Sequence, residues 1–464
     1  MYYFFLLILN LQAKVSLMDV KQSAEKHHPT ILSALQNVDA KEQAIRASQG
    51  YFDAKITGDH FRVAKGYWAR TFSDVSVEKP LKVMNSKIYT GYSYGFNGLF
   101  PPQFSTWSTN SGGTPRVGLV TSLLRNRSTD QGRTQLALSK IDHQITKNEL
   151  SLTVWEIQKL AEISYWDYLT SIQIYRIYNQ LYENGIRRSS YLKSRSDRGD
   201  SPRILLTENE QYVANRKSNL LQSENRLNQA RQRLSLYYRD QNGLPLIVSD
   251  QEEVDQFPES LSFIENEIKG IDYDQIIEKR PEISSLNLTL KQKSTSIELA
   301  SQFLIPKFDV YGDYTRNIGN EDIQNPPHIW TFGLKLEIPI ERNLGTGQVN
   351  LLKSESRVIE SQRQLEMESL KVKISSLLKS LELQLLQLDQ AKIEFKKAKE
   401  LVEAESFKFK SGGGNLFLVN VREENAATAE ANFYELQFSL ISTWTEFRAL
   451  TNLTDQTGET HDAD

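Results

Sequence analysis

The sequence predicts a mainly α chain that carries a small number of membrane-suited β-strands and is built from a duplicated pair of long helical hairpins. Three observations predict it. Landmarks recur at fixed offsets, two proline-free stretches exceed 60 residues and end at glycine turns, and several runs alternate apolar with polar residues. Each element follows from local chemistry.

A helix through Val20, Ala24 and His27 breaks at Pro29, and a second runs from Thr30 to about Tyr51. Proline suits a first helical turn because its missing N–H would find no partner there. The second half repeats the plan: Ile276–Arg280 leads to Pro281, then a helix passes through Ile283, Leu286, Leu290 and Ile297 to Leu304. His28-Pro29-Thr30-Ile31 answers Arg280-Pro281-Glu282-Ile283 and Ala54-Lys55-Ile56 answers Pro306-Lys307-Phe308, both at an offset of 252.

Strands follow each helix. Trp330, Phe332, Leu334, Leu336, Ile338 and Ile340 alternate with Thr331, Gly333, Lys335, Glu337 and Pro339, so a pleated strand puts every large apolar side chain on one face. Phe308–Arg316 is its expected partner. An apolar face backed by a polar one suits a barrel wall between lipid and water, although a soluble sandwich strand reads the same way. Comparable strands are expected at about Ala54–Val63 and Val117–Leu123. Between them, residues 68–115 hold further strand-like runs at Val75–Leu81 and Ser86–Phe96, which either join the sheet or form a loop outside it.

Gln131–Ser196 and Leu344–Lys410 are then expected as single helices, each roughly 100 Å long at 1.5 Å per residue. Both end at glycine, Gly199-Asp200-Ser201-Pro202 in one half and Gly412-Gly413-Gly414-Asn415 in the other. The returning helices carry apolar residues every seven positions: Leu206, Val213, Leu220, Leu227 and Leu234, then Val419, Ala426, Phe433, Leu440 and Phe447, at an offset of 213. Such a heptad signals coiled-coil packing. The drop in offset from 252 to 213 leaves 39 extra residues in the first half, between its Ala54 and Gly199 landmarks, a surplus that fits the strand-like insert.

The expected organisation is a first repeat over 17–242, with strands within about 54–124 and a hairpin over 131–240, and a polar connector over 243–271. A second repeat covers 272–453, with strands within about 308–340 and a hairpin over 344–452, and a polar tail covers 454–464. Tyr2–Leu11 is apolar for about ten residues, too short to span a bilayer as a helix, and reads as the core of a signal peptide within residues 1–16. No basic stretch precedes it, so the true start is expected upstream, with cleavage near Ala13 or Ser16.

Composition narrows function further. A net charge of -3 offers no positive field for nucleic acid. The absence of cysteine removes disulfides, thiolate metal sites and cysteine nucleophiles. The six histidines show no metal-ligand spacing, and no P-loop or G-x-S-x-G occurs, so neither an enzyme nor a cofactor is expected. Gly345-Thr346-Gly347 reads as a tight turn into a helix rather than a phosphate cradle.

The order helix, strand pair, very long helix, glycine turn and heptad helix, given twice, resembles the TolC family of outer-membrane efflux proteins from about Leu17 to Asn452. The resemblance rests on Arg280-Pro281-Glu282-Ile283, on the strand Gly333–Ile340 running into Gly345-Thr346-Gly347, and on Gly412–Asn425. It implies a homotrimer in the outer membrane of a Gram-negative cell, with a trimeric α-barrel tunnel continuous with an outer-membrane β-barrel of four strands per protomer. The implied role is a passive conduit for efflux or type I secretion, energised by an inner-membrane pump through a periplasmic adaptor protein.

It places the pore gate near Asn420, with Glu423 and Glu424 as an acidic ring, and adaptor docking at Gly199, Asp200, Gly412, Gly413 and Gly414. Both glutamates read equally well as solvated surface charges, and the glycines as mere turn formers. The rival reading is a periplasmic coiled-coil scaffold without a pore, which fits the long helices and heptads but leaves the alternating strands from Trp330 to Ile340 unexplained.

Overall fold

The computed structural model describes residues 15–65, 70–97, 109–249, 263–268, 273–319 and 326–451, with Asp255, Phe257, Pro258 and Leu261 of the connector. The expected signal segment, apart from Val15 and Ser16, and the polar tail lie outside the described residues. In chain order the elements are α1 (Leu17–His27), α2 (Pro29–Gln49), β1 (Lys55–Val63), β2 (Arg70–Pro80), β3 (Lys87–Asn97), β4 (Thr114–Ser122), α3 (Gln131–Asp197) and α4 (Arg203–Ser235). There follow α5 (Phe263–Glu267), α6 (Tyr273–Glu278), α7 (Pro281–Gln302), β5 (Lys307–Arg316), β6 (His328–Glu337), α8 (Asn343–Lys410) and α9 (Leu416–Thr451).

Two compact units form, and each draws on both repeats: residues 1–35, 149–281 and 366–464 in the first, 36–148 and 282–365 in the second. The first unit is helical. Ser16 opens α1 with a capping box, its hydroxyl accepting from Asp19 N (3.2 Å) while Asp19 Oδ2 accepts from Ser16 N (3.1 Å), so two otherwise unbonded donors are satisfied. Val20, Ala24 and Ile31 pack with Tyr165, Leu169, Leu227 and Leu234 in one core. Tyr165 donates its hydroxyl to Asp255 Oδ2 (2.9 Å) and Val15 O (3.1 Å).

The Arg280-Pro281 motif has a structural explanation in this unit. Arg280 reaches back to the last turn of α9, donating to Ala449 O (3.2 Å) and Leu450 O, with its guanidinium 5.8 Å from the Trp155 ring. A cation there satisfies carbonyls that lack helical partners and complements the helix dipole. Its repeat counterpart His28 instead stacks on Tyr237, just past α4, with ring centroids 5.6 Å apart.

The second unit is built on a six-stranded antiparallel meander in the order β1-β2-β3-β4-β5-β6. The insert therefore joins the sheet as β2 and β3, each paired along its whole length. Three boundaries differ from expectation. β4 begins at Thr114 rather than Val117, because Ser93, Tyr92 and Gly91 of β3 register with residues 114–116. β2 begins at Arg70, in register with Asn97. β6 ends at Glu337, leaving Ile338–Ile340 outside, since Pro339 has no N–H to donate to a ladder.

Candidate functional site

The sheet has two chemically distinct faces, fixed by strand alternation and register. One face carries Ile88, Tyr92 and Tyr94 from β3, Val117 and Leu119 from β4, Val310 and Tyr314 from β5, and Trp330, Phe332, Leu334 and Leu336 from β6. Much of it is exposed, with Phe332 78% and Ile56 of β1 75% accessible. The other face is mostly polar and internally paired. Arg116 bridges to Asp74 (2.8 Å) and donates to Ser93 Oγ (2.7 Å), Lys87 pairs with Glu78 (3.0 Å), and Ser122 donates to Asp309 (2.8 Å).

A sheet that turns its large apolar side chains outward and ties its charges together on the other face reverses the pattern of a soluble sheet. Among the described residues no helix is long and apolar enough to cross a membrane, and no cluster of side chains is suited to hold a metal ion.

A second apolar surface runs along α8. Leu344, Leu351, Val358, Leu365, Val372, Leu386, Ile393 and Phe407 are all exposed and spaced by seven or a multiple of seven. Other α8 residues, Ile359, Leu370, Ile374 and Leu381, are buried within the chain. A heptad stripe left bare on a helix that already buries another face has the spacing of a coiled-coil seam. The same spacing of seven stands in the sequence of α8, outside the heptads that follow the glycine turns.

The three candidate gate residues stand together on α9 in the first unit, where two arginines from the first repeat meet them. Arg216, on α4, is completely buried. It donates to Glu423 Oε2 (2.9 Å), Asn420 Oδ1 (3.4 Å) and Leu181 O (3.2 Å), and its Nε lies 3.6 Å from Glu424 Oε2. Arg188, on α3, donates to Asn420 Oδ1 (2.6 Å) and Glu423 Oε2 (2.9 Å). Asn219 adds a bond to Glu424 Oε1 (3.3 Å).

The cluster holds two positive and two negative side chains, so its formal charge balances. Glu423 is nearly buried, with its side chain 10% exposed, whereas that of Glu424 is 30% exposed. Seven residues further along α9, burial pushes the Glu430 carboxyl above its ordinary range, with Lys399 pulling the other way. Nothing in residue spacing linked Arg216 to Glu423, 207 positions apart. In the structure Asn209, Arg216, Ser223 and Ala230 step by seven and are all buried, so Arg216 fills a core position of α4 that its charge does not announce.

The two glycine turns are built alike. Gly199 N–H donates to Ser196 O (3.0 Å) and Asp200 N–H to Arg195 O (2.9 Å); Gly412 N–H donates to Phe409 O (3.1 Å) and Gly413 N–H to Lys408 O (3.1 Å). Each is a Schellman cap, which needs a left-handed residue at its first glycine, and φ is 77° at Gly199 and 83° at Gly412. Both tips are exposed, and nothing lies within 4 Å of a Cβ built at Gly199, Gly412 or Gly413.

No family model matches the chain, and no curated protein matches it. Solved structures do. The chain is similar to the CmeC outer membrane channel of Campylobacter jejuni, with a TM-score of 0.65 and 14% identity over 96% of this chain and 87% of that one. It matches the outer membrane protein VceC of Vibrio cholerae at 0.67 and 10%, over 94% and 96%, and the open-state MtrE outer membrane channel of Neisseria gonorrhoeae at 0.64 and 11%, over 94% and 88%. The fold is that of the outer-membrane channels. These neighbours are outer-membrane channels rather than enzymes.

Proposed function

We propose that the chain is a subunit of an outer-membrane efflux channel of the TolC family, three copies of which form a passive conduit across the periplasm and outer membrane. The observation that carries this reading is the exposed apolar face of the sheet, Trp330 to Leu336 above all, backed by a face whose charges are paired. Lipid is the solvent that such a face requires, and neighbouring copies supply the strand edges that lipid cannot bond. The bare heptad on α8 gives the copies a second seam, in the helical part.

Within that channel, Asn420, Glu423 and Glu424 form the gate and work as a clamp. Arg188 and Arg216 tie α9 to the first hairpin while the channel is closed, and opening requires the guanidiniums to leave the carboxylates. The tips at Gly199, Asp200 and Gly412–Gly414 are the docking points for a periplasmic adaptor, which couples the conduit to an inner-membrane pump. This chain supplies passage, and the pump supplies energy and substrate choice.

The test is single-channel recording of purified protein in planar bilayers. The wild type is expected to conduct in discrete steps, and Glu423→Gln with Glu424→Gln to shift ion selectivity toward anions, because the two arginines then stand unmatched. Unchanged selectivity would remove these residues from the pore.

A further inference from the structure

Resting on that reading, we infer that the channel's wall has eighteen strands, six from each of three copies, closed by β1 of one copy pairing with β6 of the next. The two terminal strands are the sheet's unpaired edges. Their residues are exposed almost throughout, whereas those of the interior strand β2 are mostly covered. An even meander begins in one direction and ends in the other, so β1 meets a neighbouring β6 antiparallel, like every other pair in the sheet. A closed ring leaves no N–H or C=O unbonded in lipid.

The apolar band shows that β2 and β3 belong to this wall rather than to a flap outside it. On β5 and β6 the band reaches from Tyr314 and Trp330 to Phe308 and Leu336, and Arg316 and His328 bound it at the loop end. On β1 and β2 it covers Ile56, Gly58, Val75 and Val77, bounded by Lys79 on the helix side and by His60 and Ser73 on the loop side. The midpoint of the band on β5 lies level with Tyr311, whose side chain is on the other face; Tyr311 registers with Val120, which registers with Lys87, which registers with Pro80 of β2. The midpoint of the band on β2, between Val75 and Val77, lies level with Ser76, four residues from Pro80.

The band therefore climbs four residues over the four strand spacings that separate the middle of the β5–β6 pair from that of β1–β2. At about 3.4 Å along a strand and about 4.8 Å across one, this slope corresponds to a strand tilt of about 35°. Transmembrane barrels tilt their strands by roughly 35–45°. One slanted band thus crosses all six strands, and Tyr92 and Val75 present exposed apolar surface within it. Because barrel diameter grows roughly linearly with strand number, this wall is about half as wide again as one with four strands per copy.

The chain has no cysteine, so single-cysteine variants label cleanly. A fluorophore placed on Val75→Cys, or on Tyr92→Cys as an independent position, is read in vesicles containing brominated lipid. Leu334→Cys serves as the lipid-facing reference and Thr331→Cys as the inward one. Quenching at Val75 and Tyr92 within about twofold of that at Leu334, with none at Thr331, is expected, and cryo-electron microscopy of the wild-type complex should count eighteen strands. A three-copy complex in which both labels escape quenching, or which shows twelve strands, overturns the inference. Failure to insert in the membrane, or a copy number other than three, defeats the channel reading itself.

Discussion

The two repeats of this chain agree in their helices and differ in their strands. Pro29 and Pro281 open equivalent helices, and Gly199 and Gly412 close long helices with the same pair of hydrogen bonds. Yet the first repeat contributes four strands and the second two. The contrast has a physical cause. Slipping a heptad helix by one residue moves its whole apolar seam, so the helices hold their length. An added hairpin returns the chain to the end it left and extends the sheet by one antiparallel pair, so a wall grows two strands at a time without disturbing what is attached to it. The repeats also divide the charged clamp, the first giving Arg188 and Arg216, the second Asn420, Glu423 and Glu424.

The largest effect is expected where the repeats complement each other. Arg216→Ala leaves Glu423 nearly buried with one cation fewer, and breaking a buried pair from one side costs about 3–5 kcal/mol. Thermal melting of the helical signal should show that loss, and bilayer recordings should show raised leak. A melting temperature equal to wild type would mean that the clamp adds nothing.

Next come charges on the apolar face. Leu334→Arg, in the second repeat, should cost about 2–4 kcal/mol near mid-membrane, and Val75→Arg, on the extra hairpin of the first, a comparable amount, both read by denaturant refolding into vesicles. A neutral Val75→Arg beside a costly Leu334→Arg would separate the extra hairpin from the wall.

At the tips the repeats should respond equally. Gly199→Ala and Gly412→Ala each force a Cβ into the left-handed region at about 1–2 kcal/mol. Losses that differ by more than that range would show that the two caps are not equivalent.

The smallest effect is a dependence on pH at the helix junctions. Burial, then Arg239, holds the His28 imidazole below its ordinary value, so the folded state binds fewer protons than the unfolded one. Stability is therefore retained above about pH 6.5 and declines as pH falls below it. His28→Gln should flatten that slope, read by thermal melting between about pH 5 and 7.5.

The helices, glycine turns and duplication were legible because their signals are local: a proline, a glycine and a seven-residue step each report on their own neighbourhood. The strands from Phe308 to Ile340 were legible in type and less so at their ends, because Pro339 stops a ladder that alternation alone extends to Ile340. Whether residues 68–115 join the sheet was not legible, since strand pairing is settled by registers such as Val77 with Thr90 rather than by composition. The arginine partners of Glu423 were not legible either, because they come from the other repeat across more than 200 residues.

In the proposed channel Trp330, Phe332, Leu334 and Leu336 face lipid. Alkaline carbonate extraction of membranes holding the wild-type chain tests it most directly. The protein should stay in the membrane pellet and run as a complex that only heat dissociates. Release into the aqueous fraction as a monomer soluble without detergent would contradict it and leave a coiled-coil spacer in its place.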